Sequence, residues 1–424
     1  MVRRTRTLHP QPIFDQRLLP SFLEQNKFKN IHAQAIWREF SHNINHSFHE
    51  IPNLPLRLQQ SLRENFTVCT LSLSEKQISK DGTIKLLFKT QDGHGVESVI
   101  MKHKGRNMLC VSSQVGCQMG CTFCATGTMG IIADLCSGEI LEQLAFANTF
   151  ARIRNVVFMG MGEPLQNYDE VIAAIKAMTS VFGLAPKHVT LSTVGVIHRI
   201  QQLNRDVPLV RLALSLHAPT QELRSQIVPS SKAFPLEKLM QAIDDHLASR
   251  EHRVVLIEYC MLKGINDSIE TAHLLGKLLQ DRSVHINLIP YNTTDVDAQF
   301  SSPSDQDIRN FQSILRQDYN LKATVRENHG MDIEGACGQL ALKTTSQHAT
   351  PSKNDIARDI EDLGFAGTRG NNANTRGRIP PTKKSSVVSR CEDLFFAYRQ
   401  PLGIALIGAS IVCFTVGASR ARHK

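Results

Sequence analysis

The chain has 424 residues, which is too long for one ordinary domain, and its 42% hydrophobic content excludes wholesale disorder. A formal net charge of +9 suits a nucleic-acid-binding protein, but the excess lies at the two ends of the chain. Residues 1–8 carry three arginines and no acid, and residues 347–424 carry 12 basic and 6 acidic residues. The segment between them has 33 of each, so the net charge is no argument for nucleic-acid binding by the middle of the chain.

Ten cysteines are too few for a small disulfide-stabilised scaffold. The first residues contain no apolar stretch of a secretory signal, so we expect a reducing compartment, with the cytoplasm as the default. Clustered cysteines are then metal ligands rather than disulfides. The arginine-rich start is also typical of a plastid or mitochondrial transit peptide, but Asp15 and Glu24 follow soon, which favours a solvated basic terminus.

Residues 20–67 are predicted to form a small helical accessory region. Apolar residues recur there at helical spacing, the segment IPNLP interrupts the pattern, and residues 57–65 suit a further short helix. The next segment, residues 68–107, is predicted to form short β-strands, namely VCTLSLS, TIKLLFKT and VESVIMK, with a turn at QDGHG.

Residues 108–344 are predicted to form an α/β core, because short apolar runs alternate with helical stretches. The apolar runs are MLCVSS (108–113), NVVFMG (155–160), HVTLST (188–193), LVRLALSLH (209–217), RVVLIEYCML (253–262) and VHINLIP (284–290). The helical stretches between them include 137–150, 168–182 and 235–249. This pattern predicts six parallel strands with helical crossovers. A doubly wound sheet and a partial barrel remain alternatives, and both bind ligands at the carboxyl ends of the strands.

The end of the chain has a different composition and is predicted to be an extension of the core. Residues 345–400 are rich in Gly, Asn, Pro and basic residues, which is typical of a disordered linker. Residues 401–418, PLGIALIGASIVCFTVGA, carry no charge, and as a helix they would span roughly 27 Å, close to the thickness of a bilayer core. Gly, Ser and Thr dilute this run, so a membrane tail anchor and a docked helix stay open as alternatives.

Cys117, Cys121 and Cys124 form a C-x3-C-x2-C motif directly after a predicted strand. Three thiolates on one glycine-rich loop suit an iron–sulfur cluster, whereas a structural zinc ion takes four protein ligands and no obvious fourth is nearby. Three ligands would leave one iron of a four-iron cluster open to bind something else. Buried structural cysteines are the weaker alternative, because three of them fall within eight residues.

With Phe123 before its last cysteine, the motif resembles that of the radical S-adenosylmethionine (SAM) superfamily. The resemblance implies that Cys117, Cys121 and Cys124 hold a 4Fe-4S cluster and that SAM chelates the open iron. One electron then cleaves SAM to methionine and a 5′-deoxyadenosyl radical. Cys136 is not assigned as a fourth ligand, because a fourth thiolate would displace SAM.

Further motifs resemble the RlmN branch of the RlmN/Cfr group of RNA adenine methyltransferases, over residues 22 to 345. They are SSQVGC, CTFCATG, VVFMGMGEPLQNYD, LSTVG, LSLHAP, INLIPYN and EGACGQL, with a looser match of IHAQAIWREF to the group's RNA-binding region. The resemblance implies a partial (β/α)6 radical SAM barrel that methylates carbon 2 of adenosine in ribosomal RNA, transfer RNA or both, and we expect the enzyme to be a monomer. It also implies an electron donor such as flavodoxin or ferredoxin. Methylation of carbon 8, as in the Cfr branch, and a non-catalytic iron–sulfur RNA-binding protein remain alternatives.

The resemblance assigns SAM contacts to residues at the ends of predicted strands, although each taken singly suits an ordinary strand end. These residues are Gly162, Glu163, Ser192, Ser215, Leu216, His217 and Asn292. It further implies that Cys337 carries the methyl group, that Cys110 forms a disulfide with it to release the product, and that Glu97 accepts the proton. Two SAM molecules are used in this route. From the residues alone, both cysteines are core residues and Glu97 is a solvent-facing carboxylate.

Overall fold

A ten-stranded β-sheet dominates the part of the chain that this computed structural model describes, residues 6–103, 105–294, 296 and 300–341. The predicted linker 345–400 and the apolar run 401–418 lie outside the described residues. Within the described ranges, no helix is both long and apolar enough to cross a membrane.

The helices and strands alternate along most of the chain, as the sequence predicts. In chain order they are β1 (Gln11–Pro12), α1 (Leu18–Gln25), α2 (Ile31–His42), α3 (Leu56–Asn65), β2 (Phe66–Thr67), β3 (Ser72–Ile78), β4 (Ile84–Lys89), β5 (Gly95–His103), β6 (Arg106–Cys110), β7 (Gln114–Cys117), α4 (Ala125–Thr128), β8 (Gly130–Asp134), α5 (Ser137–Phe150), β9 (Ile153–Phe158), α6 (Tyr168–Ser180), β10 (Val189–Thr193), α7 (Ile197–Asp206), β11 (Arg211–Ser215), α8 (Gln221–Ile227), α9 (Leu236–Ala248), β12 (Val255–Met261), α10 (Ile269–Leu279), β13 (Val284–Pro290), α11 (Asp305–Gln317) and β14 (Lys322–Val325).

The parallel half of the sheet has the strand order β6, β9, β10, β11, β12, β13, β14. Each crossover leads to the next strand on the same side, so the order never reverses as it does in a doubly wound sheet. This finding selects the partial barrel from the two architectures that periodicity left open. The six predicted strands are confirmed. Strand β14 is a seventh that the sequence analysis missed, because this edge strand is short and mostly exposed and so has no apolar run.

The antiparallel strands β3, β4 and β5 extend the same sheet from β6, so the predicted short β region is continuous with the barrel. Strand β5 pairs with β6 in a register that places Val99 opposite Cys110. Directly paired residues share one face of a sheet, and so do alternate residues along a strand. Glu97 therefore lies on the same face as Cys110.

The N-terminal helices share the hydrophobic core of the barrel. Helix α2 packs on α5, and the indole of Trp37 donates a buried hydrogen bond of 2.7 Å to the carbonyl of Ile13. Helix α5 is buried along most of its length because it lies between these helices and the sheet. The helices predicted over 137–150, 168–182 and 235–249 are confirmed, and each of the last two is two residues shorter than predicted.

The expectation of a solvated basic start is wrong for Arg6. Its side chain is only 10% exposed and forms ion pairs with Asp92 at 2.5 Å and with Glu139 at 2.6 Å. Because Glu139 is fully buried at the start of α5, Arg6 supplies the cation that this carboxylate needs. Long-range pairing of this kind leaves no signal in the local sequence.

Candidate active site

The three cysteines of the C-x3-C-x2-C motif lie on the tip of a hairpin formed by β7 and β8. Cys117 ends β7 and pairs with Gly130, which begins β8. Gly116 has a φ of 74°, and a Cβ atom there would lie 2.0 Å from the carbonyl oxygen of Gly130. Only glycine permits this close approach, so the tight hairpin depends on that residue.

Backbone N–H groups point at two of the three sulfurs. The Sγ atom of Cys117 accepts from Met119, and that of Cys124 accepts from Thr126 and Gly127 at the start of α4. Burial raises the pKa of Cys117 to about 12, and it also raises the pKa values of Cys121 and Cys124. Thiols buried in this way become thiolates when a metal centre supplies positive charge beside them, so this donor set suits a bound metal cluster.

The number of thiols suits a cluster better than a structural zinc ion, which takes four protein ligands. In a four-iron cluster each thiolate binds a different iron, so the three sulfurs stand around the cluster instead of meeting at one point. The cysteine arrangement therefore fits a 4Fe-4S cluster.

Polar residues predicted at the carboxyl ends of the strands lie together around the hairpin tip. The hydroxyl oxygens of Ser192 and Ser215 are 3.2 Å apart on neighbouring strands. Glu163 is 2% exposed, and its carboxylate accepts N–H bonds from Leu165 at 3.0 Å and Val194 at 2.9 Å. Burial raises the pKa of Glu163 to about 7, against the lowering effect of these bonds. The carboxylate thus ties the loops after β9 and β10 together.

Gly162 shapes the same turn. Its φ is 98°, and a Cβ atom would lie 2.6 Å from the side chain of Gln114. The side chain of Gln114 accepts the N–H of Glu163 at 2.8 Å, so the two residues lock the turn onto β7. The strand that carries Cys117 is in this way connected to the turn that carries Glu163.

His217 follows β11 and packs its ring against Phe123 of the cysteine loop, with ring centroids 4.9 Å apart. Its Nδ1 atom accepts the N–H of Cys260 at 3.0 Å, and burial lowers its pKa to about 3, so the imidazole is neutral. Leu216 has a fully buried side chain, and its carbonyl accepts from Arg224 at 3.0 Å. Leu216, which the resemblance assigns as a SAM contact, thus lies in the core beside the site.

Cys110 and Cys337 line one cavity with an empty volume of about 570 Å³, together with Cys124 of the metal motif. Asn292 fixes the loop that carries Cys337, because its side-chain N–H donates to the Cys337 carbonyl at 3.1 Å. The Asn292 side-chain oxygen is buried and has no hydrogen-bond partner among the described residues. It is therefore able to accept a hydrogen bond from a bound ligand. The hairpin tip, the strand ends and the Cys337 loop therefore meet at one end of the barrel.

Comparison with known proteins decides the family. A sequence model of the Radical SAM superfamily matches residues 111–275. The probable dual-specificity RNA methyltransferase RlmN of Geobacillus kaustophilus is 39% identical over 322 residues, which cover 74% of this chain and 87% of that protein. The chain belongs to the RlmN family. The dual-specificity RNA methyltransferase RlmN 1 of Myxococcus xanthus is also 39% identical, over 336 residues that cover 77% of this chain and 92% of that protein.

A solved structure agrees with this membership. The crystal structure of a radical SAM methyltransferase from Sphaerobacter thermophilus is 36% identical, with a TM-score of 0.74, and covers 78% of this chain and 99% of that chain. The RlmN-family chain is a SAM-dependent RNA methyltransferase with the radical SAM fold, and its cofactors are a 4Fe-4S cluster and SAM.

Two charged residues of this RlmN-family site were missed by the sequence analysis. Arg326 directly follows β14 and lines the cavity of Cys110 and Cys337, where its guanidinium lies 3.7 Å from both Glu258 and the sulfur of Met159. Like the other site residues, Arg326 stands at the carboxyl end of a strand, but β14 was not recognised in the sequence. Arg224 is fully buried and donates to the carbonyls of Leu216 and Val194, which holds the loops after β10 and β11 together.

Glu97 is buried, so the interpretation of a solvent-facing carboxylate is excluded. It is 1% exposed, and its carboxylate forms an ion pair of 3.2 Å with Lys85, which is itself 5% exposed on β4. Lys85 also lies 3.5 Å from the carbonyl of Glu334, three residues before Cys337. Lys85 therefore connects Glu97 to the segment that leads to Cys337.

We expect the substitution Lys85→Met to lower the free energy of unfolding by about 3–5 kcal/mol, because it removes the cation that compensates the buried charge of Glu97. Urea unfolding of the cluster-loaded protein measures this loss. The double variant Lys85→Met/Glu97→Gln should recover much of it, since no charge is then left buried. Equal losses in the single and double variants would show that the ion pair does not matter for stability.

Proposed function

We propose that this chain methylates carbon 2 of adenosine in ribosomal RNA, transfer RNA or both, through S-methylation of Cys337. The observation that carries the proposal is the cavity shared by Cys110, Cys337 and the cluster ligand Cys124. The family resemblance assigns these thiols their roles, and the names of the curated relatives, which include the term dual-specificity, support more than one RNA substrate.

The target atom explains why the site has two thiols. Carbon 2 of adenine lies between the two nitrogens of the six-membered ring and is electrophilic. It therefore cannot attack the methyl group of SAM directly. When bound, the cluster and SAM supply the methyl group and the one-electron chemistry. The sulfur of Cys337 accepts the methyl group and becomes an S-methyl thioether. This methyl carbon, still bound to the protein, is the one that joins the base. The Cys337 loop is anchored for that task by Asn292.

The remaining residues handle the proton and the release of product. Glu97 accepts the proton that leaves carbon 2, and the ion pair of 3.2 Å with Lys85 holds that carboxylate in position. The thiolate of Cys110 then attacks the sulfur of Cys337 and forms a disulfide. The bond from that sulfur to the methylene carbon breaks, its electron pair goes to the carbon, and a proton completes the methyl group of the released RNA. A two-electron reductant restores both thiols. Gly162, Glu163, Ser192, Ser215, Leu216, His217 and Asn292 form the SAM pocket in this proposal. It also includes flavodoxin or ferredoxin as the electron donor, a monomeric enzyme and action in the cytoplasm.

The test is anaerobic reconstitution with iron and sulfide, followed by incubation with SAM, reductant and RNA. Ribosomal and transfer RNA are supplied separately, and digested RNA is analysed by mass spectrometry. We expect 2-methyladenosine in at least one of the two RNAs. If 8-methyladenosine forms instead, the Cfr-like alternative replaces the proposal, and the absence of both products from an enzyme with an intact cluster refutes it.

A further inference from the structure

A group of cations lies at the amino ends of the parallel strands, opposite the end where the reaction cavity lies. Arg106 begins β6, Arg152 and Arg154 flank the first residue of β9, Lys187 shortly precedes β10, and Arg211 begins β11. All five side chains are exposed. We call these five residues the basal cation surface.

Three of the five residues of the basal cation surface line a cleft. Arg106, Arg152 and Arg154 border this cleft with His188, and its empty volume is about 1130 Å³. Burial lowers the pKa of His188, and the neighbouring cations Lys187, Arg211, Arg106 and Arg154 lower it further. Four members of the surface therefore act electrostatically on one point, which shows that their charges are grouped in space.

These charges are not compensated within the described part of the chain. None of the five cations forms an ion pair or a side-chain hydrogen bond there, and segments 105–107, 151–155, 182–189 and 207–211 contain no acidic residue. By contrast, Arg282, two residues before β13, pairs with Asp244 at 2.7 Å. Grouped cations without counter-charges destabilise a folded protein, so a bound anion explains the arrangement better than stability does.

We propose that the basal cation surface binds the phosphate backbone of the RNA substrate, at a stretch remote from the nucleotide that is methylated. Four adjacent strands, at the usual spacing, spread the surface over about 14 Å, which corresponds to about four nucleotides of a stacked strand. Arginine donates to phosphate in a bidentate manner, and four of the five cations are arginines. A concave cleft admits a nucleic-acid strand more readily than a planar membrane.

The position of the surface predicts which kinetic constant it affects. An RNA that fills the reaction cavity and also contacts the basal cation surface has to extend around the barrel, so a large folded RNA can use the surface and a short hairpin cannot. The contact adds binding energy that is the same in the ground state and the transition state, and it therefore lowers KM without changing kcat.

The experiment compares the cluster-loaded enzyme with the triple variant Arg106→Gln/Arg154→Gln/Arg211→Gln. A matched control, Lys238→Gln/Lys277→Gln/Arg316→Gln, removes the same charge from exposed positions on outer helices. Binding of an oligouridine is measured over a series of salt concentrations. Because this RNA has no adenine, the result does not depend on whether the proposed methylation is correct.

We expect the triple variant to reduce the slope of log affinity against log salt by about 2, since each single-strand phosphate contact contributes about 0.7. This change corresponds to a roughly 100-fold loss of affinity near 0.1 M salt if the two lines meet near 1 M. With transfer RNA as substrate, KM should rise and kcat should stay unchanged, whereas both constants for a short hairpin should be unaffected.

Three results would overturn the proposal. The first is an unchanged salt slope in the triple variant, and the second is an equal change in the control variant, which would indicate a general charge effect. The third is retained RNA binding together with lost binding to vesicles of anionic phospholipid, which would assign the surface to a membrane. Cluster absorbance of each variant verifies that it is folded.

Discussion

The substitution Cys337→Ala is expected to abolish methylation of RNA while the absorbance of the 4Fe-4S cluster is retained. Cys337 is not one of the three motif cysteines, so its loss leaves the cluster ligands in place. It lines the cavity beside Cys110, and its sulfur is the atom that accepts the methyl group in the proposed reaction. Without that sulfur no carbon is presented to the base, and the rate should fall by at least roughly 10⁴-fold, as for other enzymes that lose their nucleophile.

Two measurements separate the loss of this role from simple damage to the site. Incubation with SAM alone should increase the mass of the wild-type protein by one methylene unit and leave Cys337→Ala unchanged. Cleavage of SAM to 5′-deoxyadenosine under reducing conditions should continue in the variant, because the cluster and the strand-end residues remain. The control Cys69→Ala, which removes a half-buried thiol outside the cavity, should retain methylation. A Cys337→Ala enzyme that still methylates RNA would disprove the assigned methyl carrier.

The sequence predicts the parallel part of the fold well because each of those strands is a continuous apolar run between helices. The same regularity places Glu163, Ser192, Ser215 and His217 at strand ends, whereas their assignment to the site came from the family resemblance. The structure brings these residues together through bonds that link neighbouring strands, such as the contact of 3.2 Å between Ser192 and Ser215.

The features that the sequence analysis missed depend on contacts between distant segments. Hairpin β7–β8 has strands of four and five residues, too short for a periodic signal, and its turn depends on Gly116 approaching Gly130. Lys85 and Arg326 acquire their importance from partners on other strands, Glu97 and Glu258 respectively. The pattern of alternation in β5 places Glu97 on one face, but it cannot tell whether that face is covered.

The substitution Cys110→Ala should trap a covalent adduct between the enzyme and its RNA. In the proposed reaction, the methylene carbon joins the sulfur of Cys337 to carbon 2 of the adenine, and the sulfur of Cys110 breaks this link by forming the disulfide. Cys110 is 7% exposed at the end of β6, and burial raises its pKa to about 12, whereas the nearby guanidinium of Arg326 acts to lower it. Alanine at this position leaves the methyl acceptor intact but removes the thiol that releases the product.

We therefore expect Cys110→Ala to consume no more than about one RNA per enzyme molecule and to form a protein–RNA species that survives denaturation. Electrophoresis of labelled RNA under denaturing conditions detects this species, and nuclease digestion followed by mass spectrometry locates the link at Cys337. The double variant Cys110→Ala/Cys337→Ala is the matched control and should form no adduct. Repeated turnover by Cys110→Ala, or an adduct in the double variant, would contradict the assigned pair of thiols.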